Sequence, residues 1–263
     1  MAPRSQTKPE TFLDVVAGSA SDGVRPMPEG PHVIVPRRKI VGVLFGAVVG
    51  LTLLSLAGQF ARFYLDLPTV FGLVRLFYVD LENNLPTWYQ TMALAFAAVL
   101  LAWLALAARR MRAPFSGHWL ALCLLFVFLS LDEAASIHEA TIEPLQRITG
   151  RPGGVWQPTW VFVGIVLVAA VAVAFLRFFL HLPRSERRQV AWAAALFVLG
   201  AIGTEMATAA FFTTSDPTYK ASVTYAVLAH IEELLEMLGV VVFIDFLLRR
   251  LSRTVSLSLV VSD

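Results

Sequence analysis

Few of the residues and motifs that identify small secreted proteins or common enzymes occur in this sequence. Among 263 residues there is one cysteine, Cys123, so neither an internal disulfide nor a thiolate metal cluster can form. The 16 glycines and 14 prolines are too few for a collagen-like or Gly/Pro-rich disordered chain. A P-loop, a G-x-G-x-x-G stretch, a G-x-S-x-G elbow, an H-E-x-x-H pair and an N-x-S/T sequon are all absent. The chain therefore lacks the short motifs by which nucleotide-binding proteins, serine hydrolases and zinc proteases are recognised.

Charged residues are also scarce. They make up 15% of the chain, against ~25% in soluble domains, while 57% of the chain is hydrophobic and the mean hydropathy is +0.69. The net charge of +2 gives no reason to expect a nucleic-acid partner. This composition excludes an ordinary soluble protein and predicts a polytopic membrane protein in contact with a lipid bilayer.

Long apolar runs occupy most of the chain. A helix that spans a membrane needs about 20 mostly apolar residues, and six stretches meet that length. We therefore predict an all-α transmembrane bundle of six helices, since no alternating strand pattern appears. The predicted spans are 40–61, 87–108, 119–139, 160–179, 190–211 and 225–248.

The distribution of lysine and arginine predicts the orientation. With the N-terminus inside, sixteen of the 21 basic residues fall in cytoplasmic segments, so both termini are expected to be cytoplasmic. The six-helix domain would occupy 39–252. A disordered, proline-containing cytoplasmic tail, 1–38, would precede it, and a short cytoplasmic tail, 253–263, would follow it. The outer loop 66–85 could lie on the bilayer as a short amphipathic helix.

Acidic residues fall inside three of the predicted spans. The apolar part of the third span, 120–131, covers only about 18 Å of a ~30 Å hydrocarbon core, so this span must include the polar residues that follow. The third and fifth spans run outward and carry their acids in the C-terminal part of the helix. The sixth span runs inward and carries its acids in the N-terminal part. All of them are therefore expected in the outer half of the bilayer, around one cavity. That cavity would be lined by Asp132, Glu133, His138, Glu139, Glu205, His230, Glu233 and Glu236.

The first span has a polar face and a glycine face. The polar face would complete the lining of the cavity with Thr52, Ser55, Gln59 and Arg62. On roughly the opposite face, Gly42, Gly46 and Gly50 form a GxxxGxxxG run that suits close helix contact. The partner would be another helix of the chain, a second copy in a homodimer, or another subunit of a membrane complex. Glu232, at the edge of the acidic arc of the sixth span, would face lipid headgroups.

Histidine and carboxylate side chains favour a divalent metal as the ligand of this cavity. Such groups suit Fe, Mn or Zn, and His230, Glu233 and Glu236 follow one another at i, i+3 spacing. In this leading hypothesis the protein is a metal transporter or a metalloenzyme. His230 is its expected nitrogen ligand and Glu233 its central carboxylate.

Two other functions remain open. Clustered carboxylates in a membrane can relay protons, so a proton-coupled permease without metal is one alternative. The other is an assembly subunit in which the acids hydrogen-bond to neighbouring polar groups. The inner halves of the third and sixth spans contain little polarity, which counts against transport and favours a site open to the outer side.

Three segments of the chain, RLFYVDLENNLPTWYQ, FLSLDEAASIHE and HIEELLEMLG, support a family resemblance. They resemble segments found together in a broad group of uncharacterised bacterial six-helix membrane proteins. The resemblance covers residues 40–251 and excludes the N-terminal tail. It implies the six-helix fold and a bacterial inner (cytoplasmic) membrane, and it implies no activity.

Overall fold

Residues 36–150, 154–156, 158–212 and 217–254 are described by a computed structural model of the chain. This part of the protein is helical and contains no strand. The helices in chain order are α1 (Arg37–Tyr64), α2 (Leu73–Phe77), α3 (Leu85–Arg110), α4 (Ser116–Ala135), α5 (Ile137–Thr149), α6 (Trp160–His181), α7 (Arg184–Val198), α8 (Glu205–Phe211) and α9 (Val223–Thr254). The predicted tails, 1–38 and 253–263, fall almost wholly outside the described residues.

Five stretches of helix in the described part are long and apolar enough to cross a membrane. They are α1, α3, α4, α6 and the continuous segment Arg184–Phe211, in which a π-helical turn, Leu199–Thr204, joins α7 to α8. These helices define a multi-pass membrane protein. The expected sixth span corresponds to α9, which is 32 residues long. It does not meet the same test of composition, because every 18-residue stretch of it contains more than two charged residues.

Helix α9 nevertheless lies at the centre of the fold. It packs against α1, α3, α7 and the π-helical turn, and its inner half is apolar. Ile244 and Leu247 of α9 are completely buried, as is Leu101 of α3. This dense apolar packing joins α3 and α9 in the half of the bundle away from the acids, where van der Waals contact is the main attraction between helices in a membrane.

Two glycines bring α9 close to the α7–α8 segment. A Cβ atom on Gly239 would lie 2.9 Å from both the carbonyl oxygen of Ala193 and the backbone nitrogen of Phe197. A Cβ atom on Gly200 would lie 2.8 Å from Cγ of Glu236. Close packing through small residues therefore occurs here, as membrane helices often require.

The glycine face of α1 makes no such contact. Within the described part of the chain, no heavy atom outside the helix lies within 4 Å of a Cβ built on Gly42, Gly46 or Gly50. The structure does not use this face for contact inside the chain. Contact with a second copy or with another membrane protein stays a prediction.

The third predicted span, 119–139, is interrupted near its outer end. Helix α4 ends at Ala135, Ser136 adopts a left-handed conformation with φ 49°, and α5 begins at Ile137. The expectation of one helix through Glu139 is therefore wrong. The physical reason is local: the Asp132 carboxylate accepts a hydrogen bond from the backbone N–H of His138 at 2.8 Å, which stabilises the start of a new helix.

Candidate functional site

Carboxylates from four parts of the chain lie near one another at one end of the bundle, the end that the sequence predicts to face outward. They come from the end of α4, the start of α8, the outer half of α9 and the loop between α2 and α3. We call this set the acidic cluster: Asp80, Glu82, Asp132, Glu133, Glu205, Glu232, Glu233 and Glu236. The sequence-based prediction that acids of three separate spans share one depth is consistent with this arrangement.

Glu133 of α4 and Glu236 of α9 form the centre of the acidic cluster. The charge that acts most strongly on Glu133 is that of Glu236, followed by Glu82 of the loop. Glu233 is influenced by Glu236 and Glu133 and also by its sequence neighbour Glu232. All four glutamates of the two helices are partly accessible rather than sealed in the protein. Water or a small ligand can therefore approach them.

Glu232 and Glu205 extend the acidic cluster towards the α7–α8 segment. Glu205 is the strongest charged neighbour of Glu232, and Thr204 lies beside it. The expectation that Glu232 faces lipid headgroups is not met, because α9 turns this side chain towards the start of α8. A helical wheel shows the position of Glu232 around α9, but it contains no information about where α8 lies.

His138 is the basic side chain at the centre of the acidic cluster. Its Nδ1 lies 3.0 Å from Oδ2 of Asp132, and its ring packs against Trp160 at 5.1 Å between centroids. Burial by itself lowers the pKa of His138, but the hydrogen bond and charge of Asp132, with Glu139 and Glu236 behind them, raise it to about 9. The neighbouring carboxylates therefore favour the protonated form of the His138 ring. Glu139 is exposed and acts on the site by its charge.

The loop between α2 and α3 folds over the outer end of the site. Tyr78 and Val79 are each 4% exposed, so the end of this loop is buried. Leu73 and Leu76 of the short helix α2 are exposed, and the placement of that part of the segment on the bilayer stays a prediction. Burial raises the pKa of the Asp80 carboxyl, although the hydroxyl of Tyr225 donates a 2.7 Å hydrogen bond to it. Burial and the charge of Glu139 likewise raise the pKa of Glu82.

Sequence reasoning missed Asp80 and Glu82 because they lie outside the spans. One residue in the sequence, Asn84, could have indicated that this loop is fixed in place. Asn84 accepts a hydrogen bond from the backbone N–H of Thr87 at the start of α3 and donates one to the carbonyl oxygen of Tyr78 at 2.6 Å. An asparagine that caps a helix and also holds the preceding loop fixes the course of that loop.

His230 lies in a separate hydrogen-bond network. Its Nδ1 donates to the carbonyl oxygen of Ala226 at 2.6 Å, so its Nε2 must accept the hydroxyl hydrogen of Ser55 at 2.8 Å. The Ser55 oxygen in turn accepts the backbone N–H of Val79 at 3.2 Å. Both ring nitrogens of His230 are therefore engaged in joining α1, the loop and α9. Its role as a metal ligand stays a prediction.

The polar face of α1 is divided in the structure. Ser55 and Gln59 are buried, with 1% and 4% of their surface exposed. The Thr52 hydroxyl bonds to its own helix, at the carbonyl oxygen of Val48, and the guanidinium of Arg62 lies over the neighbouring ring of Phe63. Neither amide atom of Gln59 has a hydrogen-bond partner among the described residues.

A preformed metal centre is not found in the described residues. No group of three or more His, Cys, Asp or Glu side chains there is arranged so that it could hold a metal ion. The predicted ligand set of Asp132, Glu133, His138, Glu139, Glu205, His230, Glu233 and Glu236 is thus brought only partly together, since His230 belongs to the network with Ser55. Metal binding stays a prediction from residue type.

The fold and the site define a helical multi-pass membrane protein with an acidic cluster at one end of its bundle. A family model described as Domain of unknown function (DUF8692) matches residues 41–251, and the chain belongs to that family. The resemblance to an uncharacterised family is confirmed at this level, while the bacterial origin stays a prediction. No curated protein and no solved structure matches the chain significantly.

Proposed function

We propose that this membrane protein takes up positive charge at the acidic cluster and that protons are the charge it exchanges. The observation that supports the proposal is the imbalance of charge at the site. The carboxylates of the acidic cluster act on one another through their charges, and among the described residues the basic groups with the largest influence on them are His138 and Lys220. Two positive charges cannot compensate this number of anions.

The surroundings make that imbalance costly. An ionised acid at the centre of a membrane helix costs about 2.5–3.5 kcal/mol on insertion scales, and neighbouring carboxylates add mutual repulsion. Shared protons remove both costs without requiring fixed ligand geometry. Glu133, Glu233 and Glu236 are best placed to share them, because Glu236 acts by its charge on both of the others and Glu133 acts on Glu233.

Access from one side only is part of the proposal. The carboxylates are partly accessible, whereas the contact between α3 and α9 in the other half of the described bundle is closed by Leu101, Leu104, Ile244 and Leu247, all at most 2% exposed. This packing favours a binding or catalytic site served from the outer side over a permease in this conformation.

The protonation state can be measured directly. In protein reconstituted into liposomes, infrared difference spectra during a pH titration report protonated carboxyl groups by their C=O band. We expect this band in the wild type at neutral pH and a clear reduction in Glu233→Gln. Glu143→Gln is the matched control, because Glu143 forms an exposed ion pair with Arg147 on α5. A wild type without protonated carboxyl groups at neutral pH would contradict the proposal.

A divalent metal is the second candidate. The Asp132–His138 pair beside Glu236 supplies carboxylate and imidazole groups of the kind that bind Fe, Mn or Zn. Elemental mass spectrometry on the purified protein tests this candidate. A near-stoichiometric metal lost in Glu236→Gln and His138→Ala would support it, and a metal-free protein after reconstitution with each ion would exclude it.

The proposed location is a bacterial inner membrane, with six spans and both termini in the cytoplasm. The arginines and lysines of the sequence support this orientation through the positive-inside rule. The 32-residue length of α9 supports its assignment as the sixth span.

A further inference from the structure

We propose that an apolar crevice beneath the acidic cluster binds the hydrocarbon chain of a single-chain amphiphile whose amine head lies at Glu133 and Glu236. The inference rests on the proposed function in one respect, since proton exchange and amphiphile binding both use the carboxylates of Glu133 and Glu236. It adds a ligand class, long-chain amines, and a binding site for the chain.

The crevice is a gap between helices that do not close on one another. Its volume is about 520 Å³, within the ~300–1,000 Å³ typical of ligand pockets. Helix α6 stands away from the centre of the bundle, and side chains of α4, α6, α7 and α9 line the space between. The lining is aliphatic and aromatic, with Phe126, Phe175 and Phe243 among its largest side chains. An apolar gap of this size in a bilayer favours a hydrocarbon chain, because an empty gap forfeits van der Waals contact.

The outer end of the crevice leads to the acidic cluster. Leu129 lines the crevice, and Glu133 lies four residues further along the same face of α4. On α9, Val240 lines the crevice and Glu236 lies four residues before it, also on one face. The charge of Glu236 is the one that acts most strongly on Glu133, so both carboxylates are placed to attract one cationic head group.

The inner end of the crevice is covered by aromatic rings. His118 stacks on Phe178 at 5.6 Å between centroids and meets Phe175 edge-on at 5.4 Å, and Phe115 lies 5.9 Å from Phe178. The polar head of an amphiphile would therefore lie at the opposite, acidic end. Charge complementarity then selects a cationic head, and a protonated primary amine can also donate hydrogen bonds to both carboxylates.

Three probes of equal chain length test the head group. Hexadecylamine, hexadecanol and hexadecanoate are added separately to the full-length protein in a nonionic detergent, and bound ligand is counted by native mass spectrometry. We expect one hexadecylamine per chain, held about tenfold more tightly than hexadecanol (~1.4 kcal/mol), and the weakest binding for hexadecanoate. Equal binding of the amine and the carboxylate would overturn the proposal. So would tighter binding of hexadecanoate, which would place the head at the basic inner end.

Two substitutions that fill the crevice test the binding site for the chain. Ala172→Phe on α6 and Ala194→Phe on α7 both place a ring in the crevice, and each should reduce hexadecylamine binding by about tenfold or more. Val173→Phe is the matched control, because Val173 is the next residue on α6, is 77% exposed and does not line the crevice. If both filled variants are folded and bind like the wild type, the crevice is not the site. Retention of a membrane phospholipid that hexadecylamine cannot displace would also overturn the proposal.

The charge variants separate this inference from the proposed proton exchange. Glu133→Gln combined with Glu236→Gln should remove the preference for amine over alcohol, whereas Glu143→Gln should leave it unchanged. Ala172→Phe should reduce amine binding by about tenfold or more and retain the carboxyl infrared signal of the wild type. A wild type that shows no carboxyl C=O band would contradict the proton proposal and leave this inference standing. Amine binding that is unchanged when Glu133 and Glu236 are both replaced by glutamine would contradict this inference and leave the proton proposal standing.

Discussion

The carboxylate of Asp132 holds His138 at two points across the break between α4 and α5. It accepts the backbone N–H of His138 at 2.8 Å and lies 3.0 Å from the ring Nδ1. The first contact starts α5, and the second fixes the imidazolium against the acidic cluster. One aspartate thus sets both the path of the chain and the position of the basic group at the site.

This pair should make stability depend on pH. The pKa of His138 is raised from an ordinary 6.5 to about 9, so the folded protein binds this proton more tightly than the unfolded chain does. The stabilisation is fully present below about pH 6.5 and is lost as the pH rises towards about 9. Because both side chains are partly accessible, we expect a contribution of only about 1 kcal/mol.

The measurement is thermal unfolding in detergent across this pH range, with wild type and Asp132→Asn compared. The variant should lose the pH-dependent part of the stability, and NMR should report a lower pKa for His138. An unchanged pKa in Asp132→Asn would contradict the assigned role of the carboxylate.

Gly200 and Gly239 should not tolerate alanine. The new methyl group would meet Cγ of Glu236 at 2.8 Å in one case and backbone atoms of Ala193 and Phe197 at 2.9 Å in the other. Overpacking of this kind costs about 1–3 kcal/mol, so the melting temperature of both variants should fall.

Gly46→Ala on α1 is the control for these two variants. Its Cβ would meet nothing within 4 Å, and alanine has a higher helix propensity than glycine by about 1 kcal/mol. An unchanged or raised melting temperature is expected. A marked fall accompanied by loss of a dimer would instead indicate that the glycine face of α1 contacts a second copy.

Ser55→Ala should destabilise the outer end of the bundle. The substitution leaves Nε2 of His230 and the backbone N–H of Val79 without their partner, and a buried unsatisfied polar group costs about 1–3 kcal/mol. Thermal unfolding measures the effect, and hydrogen exchange of the Val79 amide should locate it. Thr52→Ala provides the comparison, since that hydroxyl bonds only to its own helix at Val48. Equal stability of the two variants would refute the network.

The orientation can be tested with single cysteines in a Cys123→Ala background. Ser185→Cys lies in the first turn of α7 on the expected cytoplasmic side, and Thr69→Cys lies before α2 on the expected outer side. In sealed right-side-out vesicles, a membrane-impermeant maleimide should label Thr69→Cys alone. Labelling of both positions from the same side would contradict the proposed topology.

Much of the architecture could be predicted from hydropathy. The apolar runs of α1, α3, α4, α6 and the α7–α8 segment were predictable because each helix in a bilayer must satisfy its own backbone hydrogen bonds. Glu133, Glu205, Glu233 and Glu236 could be predicted as a group from their similar depth, which depends only on the rise per residue of a helix.

The tertiary structure decided which side chains meet. Helical spacing shows on which face of its own helix a residue lies, but it does not show which element packs against that face. It therefore places Glu232 at the lipid headgroups, whereas the structure turns this side chain towards α8. Helical spacing also does not predict that the loop between α2 and α3 returns over the bundle. That return brings Asp80 and Glu82 to the site. His230 shows the same limit, because its partners Ser55 and Val79 are far away in the chain.

The sequence by itself determined a membrane bundle with acids at one depth, because hydropathy and helical rise are local properties. Only the fold decided the break at Ser136, the crevice and the membership of the acidic cluster, because these depend on contacts between distant segments.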